Sequence, residues 1–258
     1  MNILSFANWL AEAPQWIQNC PEWIQNFIFQ LYQTFIYADR WKFFTDGLKI
    51  TFIVTIGALL LGVIIGLLIA IIRTSHDLSQ KKPFILLRIL NTVSNIYLTV
   101  IRGTPMMVQL LIMGFVVMVP KTETGTIMCG IITLGINSGA YVAEIARSGI
   151  MSIDRGQMEA GRSLGFNYVQ TMWHFIIPQA IKNILPALGN EMITLLKDTS
   201  LVSVIALRDV TKQAQNIVSI TYQAYVPYIS LAVIYLVIVI ILTKLLGIFE
   251  RRLRNSDH

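Results

Sequence analysis

The sequence predicts an all-α integral membrane protein with five transmembrane helices. Three observations carry that expectation. Of 258 residues 55% are hydrophobic and only 13% charged, about half the charged share of soluble globular domains (roughly 25%). With a mean hydropathy of +0.63, the chain has too little polar surface to cover a particle in water. Several apolar runs reach the roughly 20 residues that a bilayer crossing needs. The basic residues gather between and beyond those runs, where membrane topology places them. The formal net charge of +6 is therefore no sign of a nucleic-acid partner.

Residues 1–44 hold Trp9, Trp16, Trp23 and Trp41 with Tyr32 and Tyr37, which suits a segment lying in the membrane interface against lipid. An extra crossing there is the alternative. The opening MNILSFANWL has no basic n-region, and Glu12 and Glu22 follow soon after, so no cleavable signal peptide is expected. The clearest crossings are 48–72 and 226–248. Two weaker ones, 126–148 and 186–207, are interrupted by ionisable residues.

The stretch 84–119 is longer than one crossing requires and is expected to be one crossing in two pieces. Its first part has an apolar face (Leu86, Leu87, Leu90, Val93, Tyr97, Val100) and a polar one (Arg88, Asn91, Asn95, Thr99, Arg102). The break falls at Gly103, Thr104 and Pro105. Glycine disrupts the helix, Thr104 is expected to cap a new one, and Pro105 fits its first position.

Five crossings put the termini on opposite sides. The connector 73–88 carries Arg73, Lys81, Lys82 and Arg88 against Asp77, and the tail 251–258 carries Arg251, Arg252 and Arg254. Both are expected in the cytoplasm, together with 149–185, which leaves the N-terminus outside. Cys20 and Cys129 form no metal pattern. They are expected as free thiols, though both fall near one membrane face and a disulfide stays open.

The segment 149–185 is punctuated like structure. Asp154 with Gln157 and Asn167 with Gln170 match capping boxes, and Gly165 sits where a first helix ends. Helices over 155–164 and 168–177 are expected, with Pro178 closing the second. Such a hairpin suits a docking element with Glu159 and Arg162 on one face. It equally suits a unit lying on lipid through Met172, Trp173 and Phe175. A DNA-reading helix-turn-helix would have only Arg155 and Arg162 as basic contacts and is rejected.

The run EAGRSLGFNYVQTMWHFIIP resembles the signature loop of membrane permeases of ATP-binding-cassette importers, EAA-x3-G-x9-I-x-L-P. Glu159, Ala160, Gly165 and Pro178 match it. Gly161 replaces the second alanine, Phe175 the isoleucine and Ile177 the leucine. Gly161 should loosen the helix by about 1 kcal/mol relative to alanine. The stretches IRGTPMMVQLL (101–111), GAYVAEIARSGI (139–150), GQMEAGRSLG (156–165) and LLKDTSLVSVI (195–205) resemble the polar-amino-acid branch, of the histidine, glutamine and arginine transporter type. They follow the family's order, so the resemblance covers roughly residues 46–250.

That resemblance implies a type I importer permease fold, with a permease domain over 45–250. It also implies a coupling helix, built around Gln157, Glu159, Ala160, Gly161, Arg162 and Gly165, that sits in a groove of a cytoplasmic ATPase. The partners implied are that ATPase, an extracytoplasmic amino-acid-binding protein, and a second copy or a similar permease. The setting implied is a bacterial-type cytoplasmic membrane. No G-x4-G-K-[ST] loop, catalytic triad or metal constellation occurs in the chain, so no enzyme activity is expected. ATP and Mg would belong to the partner. His76, His174 and His258 are expected at surfaces.

Charge at membrane depth is expensive, about 2.5–3.5 kcal/mol per residue at a helix centre, so Arg102, Glu144, Glu191, Lys197 and Asp198 should face an interior. Asn137, Tyr141, Glu144 and Ser148 form one polar stripe, and Glu191, Thr194 and Asp198 another. With the stripe ending at Arg102, these imply a shared polar path. A zwitterionic amino acid needs a cation for its carboxylate and an anion for its ammonium; Arg102 and Glu144 can supply them. The Thr104–Pro105 helix start would add backbone donors, and Asn137, Tyr141 and Asp198 complete the candidate set. The alternative is that Arg102 and Glu144 only pair with each other, and that Lys197–Asp198 serve gating or a dimer interface. An ion-coupled secondary transporter or channel would use the same charges but gives no reason for the capped hairpin. A non-transporting assembly or receptor subunit would leave the stripes unexplained.

Overall fold

Leucine, isoleucine and glycine without an interior proline let the chain run as one helix, α4, from Trp41 to Asp77. At 37 residues it measures about 55 Å, well beyond the predicted 48–72. The structure, a computed structural model, describes residues 5–79 and 83–254, with the backbone alone at Arg254. Lys81 and Lys82 of the basic connector, the last four residues of the tail and the side chain of Arg254 lie outside the described residues.

The described residues form helices joined by short turns, with no strands among them. Before α4 come α1 (Phe6–Glu12), α2 (Gln15–Gln18), α3 (Glu22–Leu31) and a π-helical segment, Tyr32–Ile36. Pro14 and Pro21 each stand immediately before a helix, where a missing N–H costs nothing. These pieces close around Trp9, Ile17 and Phe29 as a small core of their own. Trp16 and Trp23 stay 63% and 72% exposed. Among the described residues, no helix before Trp41 is long and apolar enough to cross a membrane.

After α4 follow α5 (Ile85–Gly103), α6 (Met106–Ile112) with a π-helical extension to Val117, and α7 (Glu123–Met151). Then come α8 (Arg155–Ser163), α9 (Tyr168–Thr171), a π-helical segment (Met172–Ile176) and α10 (Ile177–Asp198). The chain ends in α11 (Val210–Thr221) and α12 (Tyr225–Arg254). Four helices among the described residues are long and apolar enough to cross a membrane: α4, α5, α7 and α12.

The centre of the bundle is the pairing of α4 with α7. Their buried faces are small: Thr51, Thr55, Ala58, Gly62, Gly66 and Ala70 on one, Gly135, Ser138, Gly139, Ala143 and Ala146 on the other. Lipid offers apolar side chains no reason to leave it, so helices associate there by close backbone approach. A Cβ on Gly66 would lie 2.5 Å from Val142 Cγ1. Thr55 and Thr133 satisfy their hydroxyls within their own helices, Thr55 Oγ1 donating to Thr51 O at 2.8 Å and Thr133 Oγ1 to Cys129 O at 2.7 Å, while Thr51 Oγ1 accepts from the Val210 N–H of α11 at 3.3 Å. Cys129 is buried in the main apolar cluster with Val54, Leu134, Leu195 and Val202. Both cysteines are free, so the open disulfide does not form.

The expected crossing at 186–207 is not one helix. α10 stops at Asp198, a 3-10 turn covers Thr199–Ile205, and Ala206 takes a left-handed conformation. Asp209 then caps α11, its carboxylate accepting from the N–H of Thr211 and Lys212 at 3.0 and 2.9 Å. α11 lays Val210, Ala214 and Ile217 against Phe44.

Candidate functional site

Two features carry the predicted site residues: a polar cavity between α4, α5 and α7, and the hairpin α8–α9.

The cavity begins at the break after α5. Thr104 precedes a proline and is extended, as that position demands. It does not cap α6; its Oγ1 donates back to Val100 O at 2.8 Å. Pro105 stands one place before α6 rather than at its first residue. α6 and its π-helical extension run from Met106 to Val117, so the helix starts past Pro105 and not at Thr104. The break is held instead by Gln109. Its Nε2 donates to Ile101 O and Thr104 Oγ1, both at 2.8 Å, while its Oε1 accepts from Asn137 Nδ2 at 3.0 Å. Sequence reasoning missed this residue. Its one signal is a lone amide in the apolar run MMVQLLI.

Around the break lies a cavity of about 620 Å³, lined by Asn95, Thr99 and Arg102 of α5, Tyr141 and Glu144 of α7, and Arg73 of α4. The Arg102 guanidinium lies 5.5 Å from the Tyr141 ring centroid, a cation–π distance. Glu144 does not pair with Arg102. Its Oε1 is held by Arg73 Nη1, with Arg147 Nε at 3.5 Å. Arg147 reaches on to Asp77 at 3.4 Å, and Asp77 to His76 Nδ1 at 3.5 Å. Arg73, expected in the connector, thus reaches the cavity from the last turns of α4.

The three stripes do not meet in one place. Those of α5 and α7 share the cavity. Asn137 is engaged by Gln109 outside its lining, and Ser148 Oγ donates to Ile145 O within its own helix. Glu191 meets α7 elsewhere, accepting from Ser138 Oγ at 2.7 Å. Asp198 is the last residue of α10 and does not line the cavity, and Lys197 beside it is exposed.

The hairpin's turn follows from local chemistry. Gly165 has φ +87°; Gly165 N–H donates to Arg162 O and Phe166 N–H to Gly161 O, the paired bonds of a Schellman turn. Asn167 and Gln170 form a complete capping box, both bonds at 2.9 Å. At the other end Asp154 caps α8 through Gly156 N. The expected box with Gln157 does not form, because the Gln157 side chain faces Gln179 Nε2 at 3.4 Å. Pro178 closes nothing. It lies in the first turn of α10, and the chain is helical from Tyr168 to Asp198. The wider π turn stands just ahead of Pro178, where a proline ring would otherwise press on the carbonyl four residues back.

Gly161 is explained by packing. A Cβ there would lie 2.6 Å from Thr171 Cγ2, and Thr171 is fully buried. α8 and α9 are in contact at this point, and Phe166 packs edge-on against Phe175 at 5.3 Å. Met172 and Phe175 are therefore half-buried within the hairpin, and of the three residues expected to face lipid only Trp173 is exposed. The outer surface presents Glu159, Ala160 and Arg162, with Leu164 and Val169 more than 70% exposed at the tip.

Residues 84–255 match the family model of binding-protein-dependent transport system inner membrane components. The arginine transport system permease protein ArtQ of Bacillus subtilis is 37% identical over 216 residues, which is 83% of this chain and 94% of that protein. The glutamine transport system permease protein GlnP of Escherichia coli K12 is 35% identical over 211 residues, 81% of this chain and 92% of that protein. Among solved structures, an amino acid ABC transporter with histidines superposes with a TM-score of 0.73 at 45% identity, over 82% of this chain and 94% of that one. The inward-facing MetNI methionine transporter superposes at 0.70 over 84% of this chain and 99% of that one, but at 17% identity it shows the fold alone. The chain belongs to the family of binding-protein-dependent transport system inner membrane components.

Proposed function

We propose that this chain is the permease subunit of an ATP-driven importer of polar or charged amino acids, working by alternating access in a bacterial-type cytoplasmic membrane. The observation that carries the reading is the hairpin. It is rigidly capped, packed on its inner side through Gly161 and Thr171, and continuous with α10 through α9. Yet its tip is apolar and uncovered. A partner protein is what such a surface lacks. In the family that partner is a separate ATPase, which would carry ATP and Mg.

On this reading α10 makes a fifth crossing beside the four long helices. The N-terminus is outside and the C-terminus and hairpin are in the cytoplasm. Residues 1–44 form an interfacial segment against lipid, 45–250 the permease domain and 251–258 a cytoplasmic tail. A second copy or a similar permease completes the path, and an extracytoplasmic amino-acid-binding protein delivers to it. Arg102, Tyr141 and Glu144 face the substrate. Asn137 acts behind them through Gln109, and Asp198 lies toward the gate or the partner permease.

The test is a tagged pull-down from mildly solubilised membranes, wild type beside Glu159→Lys. A nucleotide-binding subunit held by wild type and lost from the variant is expected. Wild type that stays folded and brings down no ATPase would sink the reading.

A further inference from the structure

We propose that the unit ahead of α4 binds lipid: an apolar pocket in it takes an acyl chain of a zwitterionic phospholipid whose headgroup ammonium rests on Glu12. The inference rests on the reading of residues 1–44 as an interfacial segment and names the lipid class that the segment holds.

Two amides hold the pocket walls together. Gln25 Nε2 donates to Gln18 O at 2.8 Å and to Cys20 O at 2.9 Å, and Gln18 Nε2 donates to Ala13 O at 2.8 Å. These bonds knit α1, α2 and α3 into one piece. Between them and the π-helical turn Tyr32–Ile36 lies a cavity of about 480 Å³, lined by Trp9, Ile17, Ile28, Tyr32 and Phe35, with Glu12 as its one charged group. An apolar site of this size with a single polar anchor is the usual form of a small-molecule pocket. Around it Trp16, Trp23, Phe27 and Ile36 are all exposed, so a chain can pass from the bilayer into the pocket over apolar surface.

Charge selects the headgroup. The chain as a whole carries +6, yet no Lys, Arg or His precedes Arg40. Interfacial segments commonly lean on anionic lipid through basic residues; this one has none to offer. Its acids are Glu12, Glu22 and Asp39. Asp39 is met by Lys42 at 2.8 Å, and Glu22 opens α3, where the helix dipole favours it. Glu12 is the last residue of α1, the end at which the dipole opposes a negative charge. It has no cationic partner among the described residues. An ammonium supplies what that carboxylate lacks, and the ring faces of Trp9 and Tyr32 in the same lining attract a cation as well. An anionic headgroup would bring a second negative charge to the same place.

The experiment is tryptophan quenching by brominated lipid on the full chain in nanodiscs. Trp16, Trp23, Trp41 and Trp173 are exposed, whereas Trp9 is buried at the pocket. Phenylalanine at those four positions leaves Trp9 as the sole fluorophore, and a companion protein keeps Trp23 as well. Phosphatidylethanolamine with brominated chains is diluted into phosphatidylglycerol, and brominated phosphatidylglycerol into phosphatidylethanolamine. Trp9 should be half-quenched at a mole fraction of the brominated ethanolamine lipid about three-fold below that needed of the glycerol lipid, the scale of one exposed ion pair. Glu12→Gln, at an exposed position, should abolish the difference while Trp9 is still quenched. Equal quenching by both lipids in the Trp9 protein, or a preference that survives Glu12→Gln, overturns the headgroup assignment. Trp9 untouched while Trp23 is quenched overturns the pocket's occupant and leaves the interfacial reading standing. If neither is quenched, the inference and the reading beneath it fall together.

Discussion

Replacing Gly161 by alanine restores the residue that the family's signature prefers, and it should nevertheless damage this protein. A new Cβ would lie 2.6 Å from Thr171 Cγ2, 3.0 Å from its Oγ1 and 3.3 Å from its Cβ. Thr171 cannot swing aside easily: it is fully buried and its hydroxyl donates to Asn167 O at 3.0 Å. Overpacking of this kind costs about 1–3 kcal/mol, against a gain of about 1 kcal/mol in helix propensity. The net expectation is a loss of up to about 2 kcal/mol, concentrated where α8 meets α9. Thr171→Ala removes both clashing atoms, so the double variant should recover most of the loss. Thermal unfolding midpoints in one detergent, read as a double-mutant cycle, give a coupling above about 0.5 kcal/mol for residues in contact. A Gly161→Ala variant as stable as wild type, with no coupling to Thr171, would refute the packing argument.

Gln109→Leu removes the bonds that span the break after α5 and strands the Asn137 amide, a cost of about 1–3 kcal/mol. Because Ile101 adjoins Arg102, the substrate concentration for half-maximal uptake should rise several-fold; Gln109→Glu, which cannot donate to Ile101 O, should not rescue it. Asp209 lies between α10 and α11, outside the four long spans, and burial pushes its carboxyl from 3.8 up to about 6 against the N–H bonds of Lys212 and Thr211. The folded form therefore holds a proton that the unfolded form releases, and stability falls as pH rises from about 4 to 6. Asp209→Asn keeps a cap acceptor and should flatten that slope; a wild-type midpoint that climbs across the same window relative to the variant would contradict this. Gly66→Val would put its Cβ 2.5 Å from Val142 Cγ1 and 2.9 Å from Ala143 N, so the yield of monodisperse protein on gel filtration should drop sharply. Wild-type yield would mean that α4 and α7 can separate at no cost.

What was legible in the sequence is what depends on neighbours in the chain. α4 and α12 announce themselves by length and hydropathy, and Gly165 with Asn167–Gln170 specify their turn from a handful of residues. The family resemblance, carried by four short motifs in order, supplied the rest of the fold class. What escaped depends on partners distant in sequence. Arg73 reads as a connector charge until α7 brings Glu144 beside it. Gly161 reads as a helix defect until Thr171 is seen against it. The stretch 186–207 is apolar enough to suggest one span, yet Asp198 and Thr199 end the helix and Asp209 starts another. α11 was missed because its polar run looks like a loop unless Phe44 is there to bury its apolar face.

The π-helical segment at Met172–Ile176 gives the hairpin a mechanical character. From Tyr168 to Asp198 the chain is continuously helical, with Pro178 and Pro186 inside that run, so a load on the hairpin is passed along the helix into the bundle. A π turn holds one residue more than an α turn. Shifting that surplus residue along the helix moves each residue it passes by about 1.5 Å and turns it by about 100°. As the surplus residue travels, the side chains it passes turn while those beyond it keep their places.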